Sequence, residues 1–262
     1  MRIVEQGHEI LAMDPNALAL VERAGRTCYK SEDKIGCTVP KEQRQEFTGC
    51  QGGTACHGPS CPHHSSNKFV RMLIKRGHHA MLEFGWIAVK FITNRGVTHE
   101  MVRHRIASFA QESTRFCDYK DGHVEFIRPV WVDKSVCMEH NSVELVNSTK
   151  SNCPLVSWLL AIARAEVHYQ ELRQSWGGEL WPPEFAREVL PNSLKTEIVV
   201  GGNLREWRHI MALRAVGTTG KPHPQMQALM LPLLAELYEA MPAMYEDLYM
   251  AAKEKGLYND QM

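Results

Sequence analysis

This chain predicts an α+β fold, with helices packed around a modest central β-sheet. Two patterns carry that reading. Helical periodicity bounded by caps and prolines recurs over most of the 262 residues, whereas only a few short runs have the uninterrupted β-branched and apolar character of strands. No internal repeat breaks the chain into units. The sequence therefore reads as a single domain over residues 1–262, with an insertion at about 32–66.

The elements follow in order. Asp14 before Pro15 reads as an N-cap with proline at the first helical position, opening a helix to about Arg26. Ser66 caps a second helix with Phe69, Met72 and Leu73 on one face and Gly77 as its stop. Residues 86–93 (WIAVKFIT) form a strand with so little polar interruption that both faces should be nearly buried. A short helix over 97–105 then carries basic residues at its C-terminal end, where the helix dipole favours cations. Residues 124–127 form a further strand, 154–176 a long helix, and Pro182-Pro183 opens another that ends near Pro191. Residues 194–200 are β-prone, and Gly201-Gly202 should end that strand. Asn203 with Glu206 makes a capping box for the next helix. Residues 225–255 are helical, kinked at Pro232 and Pro242, and their Met and Leu stripe reads as packing.

Bulk properties exclude some partners. Lys plus Arg and Asp plus Glu each total 30, so no net positive field attracts a nucleic acid, and local basic clusters must serve small anions. No apolar run is long enough to span a bilayer, and the N-terminus has no apolar signal core, so a cytoplasmic protein is expected. Of the eight cysteines, Cys37, Cys50, Cys56 and Cys61 lie in the insertion. Cys50, Cys56, Cys61 and His63, with His57, His64 or Cys37 nearby, could staple that loop with zinc. The spacings match no standard finger, however, and an ordinary reduced surface loop is the preferred reading.

Chemistry concentrates in residues 103–115. Arg103, His104 and Arg105 are followed by seven residues and then Ser113, with Thr114 and Arg115 next. Guanidinium forks bind phosphate bidentately, and hydroxyls and amides orient what they hold. Further basic clusters stand at Arg76-Gly77-His78, at Arg187 and from Asn203 through Arg205 and His209 to Arg214. At about 100° per residue, Arg205 and His209 share a helix face and Arg214 lies roughly opposite, as if the helix separated two ligands or two subunits. His78, after a helix-ending glycine, could simply cap carbonyls.

The Arg-His-Arg, seven residues, Ser pattern resembles the signature of the flavin-dependent (alternative) thymidylate synthases. The other segments fit that family in the same order over most of residues 1–31 and 67–250. The resemblance implies a homotetramer with the active site shared between subunits. FAD would be the cofactor, NADPH and methylenetetrahydrofolate the co-substrates, and the reaction the reductive methylation of dUMP to dTMP. It assigns Arg103, His104, Arg105, Ile106, Gln111, Asn203, Arg205 and His209 to FAD. To dUMP it assigns Glu100, Met101, Val102, Arg103, Gln111, Glu112, Ser113, Thr114, Arg115, Arg187 and Arg214. Arg214 would bind the pyrimidine and help ionise its ring N–H, Ser113 would lie close to the uracil, and His78 would lie near flavin and folate. Ala80 stands where many members have a hydroxyl on FAD, and Phe84 where some have a histidine, which puts FAD affinity in doubt. No cysteine follows a proline, as the nucleophile of the unrelated classical synthases does, and no GxGxxG follows a strand. The rivals are a nucleotide- or RNA-binding protein without activity and a flavin-dependent methyltransferase acting on RNA.

Overall fold

The computed structural model describes residues 1–38, 63–120, 123–136, 139–150, 153–176 and 179–258. Strands β1 (Arg2–Val4) and β2 (Gly7–Met13) precede helices α1 (Ala17–Thr27) and α2 (Ser65–Lys75). Next come β3 (Trp86–Asn94), α3 (Arg95–Met101), β4 (Ala107–Gln111) and β5 (Glu125–Ile127). Helices α4 (Ser142–Ser148) and α5 (Pro154–Leu172) lead to the short strands β6 (Ser175–Trp176) and β7 (Glu179–Leu180). The chain continues through α6 (Pro183–Ala186), β8 (Lys195–Asn203), α7 (Leu204–Met211), α8 (Pro224–Ala240) and α9 (Pro242–Glu254). The mixed helix-and-sheet expectation is met, with a four-stranded sheet of order β2-β3-β8-β4.

By its contacts the chain divides into two compact units. The first comprises Met1–Glu9, Lys90–Arg103 and Phe109–Val200. Here β1 pairs in parallel with β5, Ile3 opposite Phe126, and their apolar side chains join Ile162, Tyr169 and Leu194 in one core. The second comprises Ile10–Val89, His104–Ser108 and Gly201–Met262. In it Trp207 is fully buried and donates its indole N–H to the Ile87 carbonyl at 3.0 Å. Buried Glu22 ties α1 to α2 there, paired with Arg26 at 2.7 Å and accepting the Ser65 hydroxyl at 2.7 Å.

Several boundaries differ from expectation, each for a local reason. Asp14 does not cap α1. Its carboxylate takes the Asn16 N–H at 2.8 Å, an Asx turn that delays the helix to Ala17. His64, not Ser66, is the N-cap of α2, its Nδ1 accepting the Ser66 N–H at 3.2 Å. Gly77 does end that helix at φ +71°, and the N–H groups of Gly77 and His78 close on Ile74 and Leu73. Burial along β3 alternates strictly between buried and part-exposed positions, so only one face is fully covered. Helix α3 starts earlier than expected, with Asn94 as cap, and stops at Met101 before the basic triplet. The long helix α5 ends at Leu172, not Trp176. Gly201 and Gly202 do not break β8, which runs through both. A Cβ on Gly201 would come within 3.1 Å of the Trp86 ring, so this glycine serves close packing.

Candidate functional site

The unit boundary falls between Arg103 and His104, so the expected site residues form two groups, each with its own geometry. The first is built on α3, β4 and the turn that follows. Beyond α3 the chain delivers Val102 and Arg103 to the surface, while Met101 stays buried and Glu100 part-buried. At the end of β4, Gln111 donates its amide to the hydroxyls of Thr98 (3.0 Å) and Thr196 (3.3 Å). Glu112 accepts the Tyr119 hydroxyl at 2.8 Å and the Glu197 N–H at 3.2 Å. Burial and then that bond to Glu112 push the Tyr119 phenol far above its ordinary range, so it stays a donor. Gln111 and Glu112, assigned to ligand, are thus also the anchors of the turn.

That turn presents Ser113, Thr114 and Arg115. The Ser113 carbonyl takes the N–H groups of Phe116 and Cys117, and its hydroxyl accepts the Arg115 N–H at 3.3 Å. Thr114, only 6% exposed, accepts from Arg187 Nη1 at 3.3 Å. Arg115 is exposed, with its Nε 3.3 Å from a Glu184 carboxylate oxygen. Two guanidinium groups and two hydroxyls therefore meet on one short turn, although Arg187 lies more than seventy positions along the chain. Convergent charge-assisted donors of this kind suit a dianionic phosphate.

The second group centres on His104. Its ring is 6% exposed, its Nε2 accepts the Arg214 Nε–H at 3.2 Å, and its Nδ1 lies 3.4 Å from Oε1 of buried Glu206. The His209 ring stands edge-on to it, with centroids 5.7 Å apart. Burial, and then the neighbouring Arg214 and His209, push the His104 pKa down to about 4, so the imidazole is neutral near pH 7. Arg205 points instead to Glu83, 2.6 Å from its carboxylate.

The expected opposition of Arg214 to the Arg205–His209 face does not hold. After Met211 the chain passes into a π-helical turn, Ala212–Val216, closed by Gly217 at φ +70°. The Arg214 Nε–H and the His209 ring both meet His104, so the two side chains converge on one imidazole. Asn203 caps α7 as expected, its Oδ1 accepting the Glu206 N–H at 2.9 Å. Arg105 is exposed, and Ile106 is 67% exposed beside it. His78 opens a short 3-10 turn and lines a cavity of about 510 Å³ with Tyr29, Phe69, Met72, Ala80 and Met81.

Sequence reasoning missed the acids that organise these groups: Glu184 on Arg115, Glu83 on Arg205, and Glu206, expected only to cap, on the neutral ring of His104. Long-range pairs leave no mark in local spacing. Glu206 alone gave a signal, as an acid on the same helix as His209 and Arg214. Of the suggested zinc ligands, Cys50, Cys56, His57 and Cys61 lie outside the described residues. Among those described, no group of three candidate ligands gathers, and His64 caps α2.

Comparison with known proteins identifies the family. The family model for thymidylate synthase complementing protein matches residues 9–243. A flavin-dependent thymidylate synthase of Mycobacterium tuberculosis is 29% identical over 231 residues, covering 87% of this chain and 78% of the relative. Its counterpart in Mycobacterium avium is 28% identical over 240 residues, 91% and 82% of the two chains. In fold, the chain is similar to the UMP/dUMP methylase PolB from Streptomyces cacaoi, solved with 5-Br dUMP (TM-score 0.65, 18% identity, 96% and 97% coverage). It is also similar to thymidylate synthase X from Helicobacter pylori, solved with FAD and dUMP (TM-score 0.59, 20% identity, 93% and 99% coverage). With the family model spanning most of its length, this chain belongs to the thymidylate synthase complementing protein family, that of the flavin-dependent thymidylate synthases.

Proposed function

We propose that this chain catalyses the reductive methylation of dUMP to dTMP, with methylenetetrahydrofolate as one-carbon donor and NADPH as reductant of bound FAD. The observation that carries the reading is the grip of neutral His104 on Arg214 Nε, which orients a guanidinium while leaving its charge intact. In this reading Arg214 stabilises the negative charge that develops as the uracil ring N–H ionises, the work a nucleophilic cysteine makes unnecessary. Arg115, Arg187, Ser113 and Thr114 hold the phosphate and sugar, and Arg103 with Glu100, Met101 and Val102 lines the nucleotide. The enzyme works in the cytoplasm as a homotetramer.

The residues assigned to FAD fit such a group. Exposed Arg105, Arg205 and His209 offer donors to a pyrophosphate, and exposed Ile106 offers an apolar surface to a ring. His104 and Asn203 complete that set, and His78 at its cavity is assigned to flavin and folate. When bound, reduced FAD supplies the hydride that completes the methyl group. The chain's own residues bind, orient and polarise.

The test is a visible absorption spectrum of the purified protein, then anaerobic NADPH titration with and without nucleotide, and product analysis with dUMP or UMP. Flavin bands that bleach faster with dUMP, and dTMP as product, are expected. A colourless protein that cannot be reconstituted with FAD would sink the proposal. Methylation of UMP as well as dUMP would move the substrate assignment toward the UMP/dUMP pair that PolB is named for.

A further inference from the structure

The contacts of Arg214 leave one buried carboxylate without a role in the reading above. Glu206 is 5% exposed, sits in the first turn of α7 and is held there by the Asn203 cap. Its Oε1 faces His104 Nδ1 at 3.4 Å, while the opposite ring nitrogen receives the Arg214 Nε–H. Arginine has no acceptor, so Nε2 must present its lone pair, and a neutral ring then carries its proton on Nδ1, toward Glu206. The two ends of the imidazole demand the same tautomer. The backbone around Arg214 is fixed separately: Gln227 donates to the Ala215 carbonyl at 2.8 Å, and Lys255 Nζ to those of Val216 (2.9 Å) and Gly217 (3.2 Å). These bonds place the arginine's main chain, and His104 directs its guanidinium.

We propose that Glu206 is a positioning residue for Arg214, acting through His104: its carboxylate keeps the imidazole proton on Nδ1, so that Nε2 remains the acceptor that aims the guanidinium. The proposal rests on the reading of Arg214 as the group facing the pyrimidine. A carboxylate is suited to this task because it only accepts. A glutamine in its place can turn its NH2 toward Nδ1, which moves the ring proton to Nε2 and sets donor against donor at Arg214.

The experiment uses the full chain labelled with 15N-histidine, as wild type, Glu206→Gln and Glu206→Asp, with the His104 signals identified by their loss in His104→Gln. In the wild type at pH 7, Nδ1 should show the shift of a protonated ring nitrogen and Nε2 that of an unprotonated one. Glu206→Gln should mix or reverse that pattern and lower kcat roughly tenfold or more, as loss of outer hydrogen-bond partners typically does. The KM for dUMP and the flavin spectrum should change little, and Glu206→Asp should keep the wild-type pattern and recover part of kcat. A wild-type ring protonated on Nε2 would overturn the proposal even if no variant folds. So would a Glu206→Gln protein with unchanged tautomer and kcat. If the tautomer responds as expected but the wild type forms no dTMP, the reading of the reaction fails while the Glu206–His104–Arg214 relation stands.

Discussion

His104 couples the site to the stability of the unit around it. An unfolded histidine titrates near 6.5 and the buried ring only at about 4, so between those values the unfolded chain binds the extra proton. The stabilisation is complete above pH 6.5 and is lost as pH falls toward 4, by up to about 3 kcal/mol at about 1.4 kcal/mol per pH unit. Urea unfolding at pH 7 and pH 5 should therefore show a drop that His104→Gln largely removes; an equal drop in both proteins would contradict the shift. The same residue shows why a basic triplet cannot be read as three equivalent cations. Arg103 and Arg105 are exposed, whereas His104 is buried, neutral and an acceptor.

At the level of elements, the strand β8, the Asn203 cap, α7 and the π turn form one continuous device that delivers His209 and Arg214 to a common imidazole. Two closures hold its ends, the cap at the start and Gly217 in the left-handed region at the finish. Replacing an Asn cap by Ala costs about 1 kcal/mol, so Asn203→Ala should lower the urea midpoint by that equivalent. Asn203→Ser should restore most of it, because a hydroxyl also accepts the Glu206 N–H. Since serine lacks the amide donor, FAD affinity that falls in both variants while stability recovers in one would separate the cap from the ligand contact. Stability unaffected by Asn203→Ala would show that α7 does not depend on its cap. The cap was legible from Asn203 and Glu206 alone, being a matter of local spacing. The π turn was not, since Ala212 to Val216 carry no residue that forbids an α-helix.

For the whole molecule, ligand binding is linked to unfolding. A cofactor that binds only the folded chain at roughly a hundredfold excess over its Kd adds about 2.7 kcal/mol, several degrees of Tm at this size. Added FAD should raise the melting temperature of cofactor-stripped protein by that amount, and a flat response would contradict the flavin assignment. The amino-acid pattern alone supplied the fold class, most helices, the Arg-His-Arg to Ser113 segment and the family it resembles, because periodicity, caps and spaced motifs are short-range features. Strands β1, β2 and β4 escaped it, since each is short or largely exposed and draws its stability from partners distant in sequence. The same limit applies to the site. The chain names its arginines, but which of them meets Thr114, which is tied to an acid, and which is aimed by a buried histidine depends on contacts across up to 122 positions. Those contacts exist only once folding has brought distant segments together and withdrawn His104 and Glu206 from water.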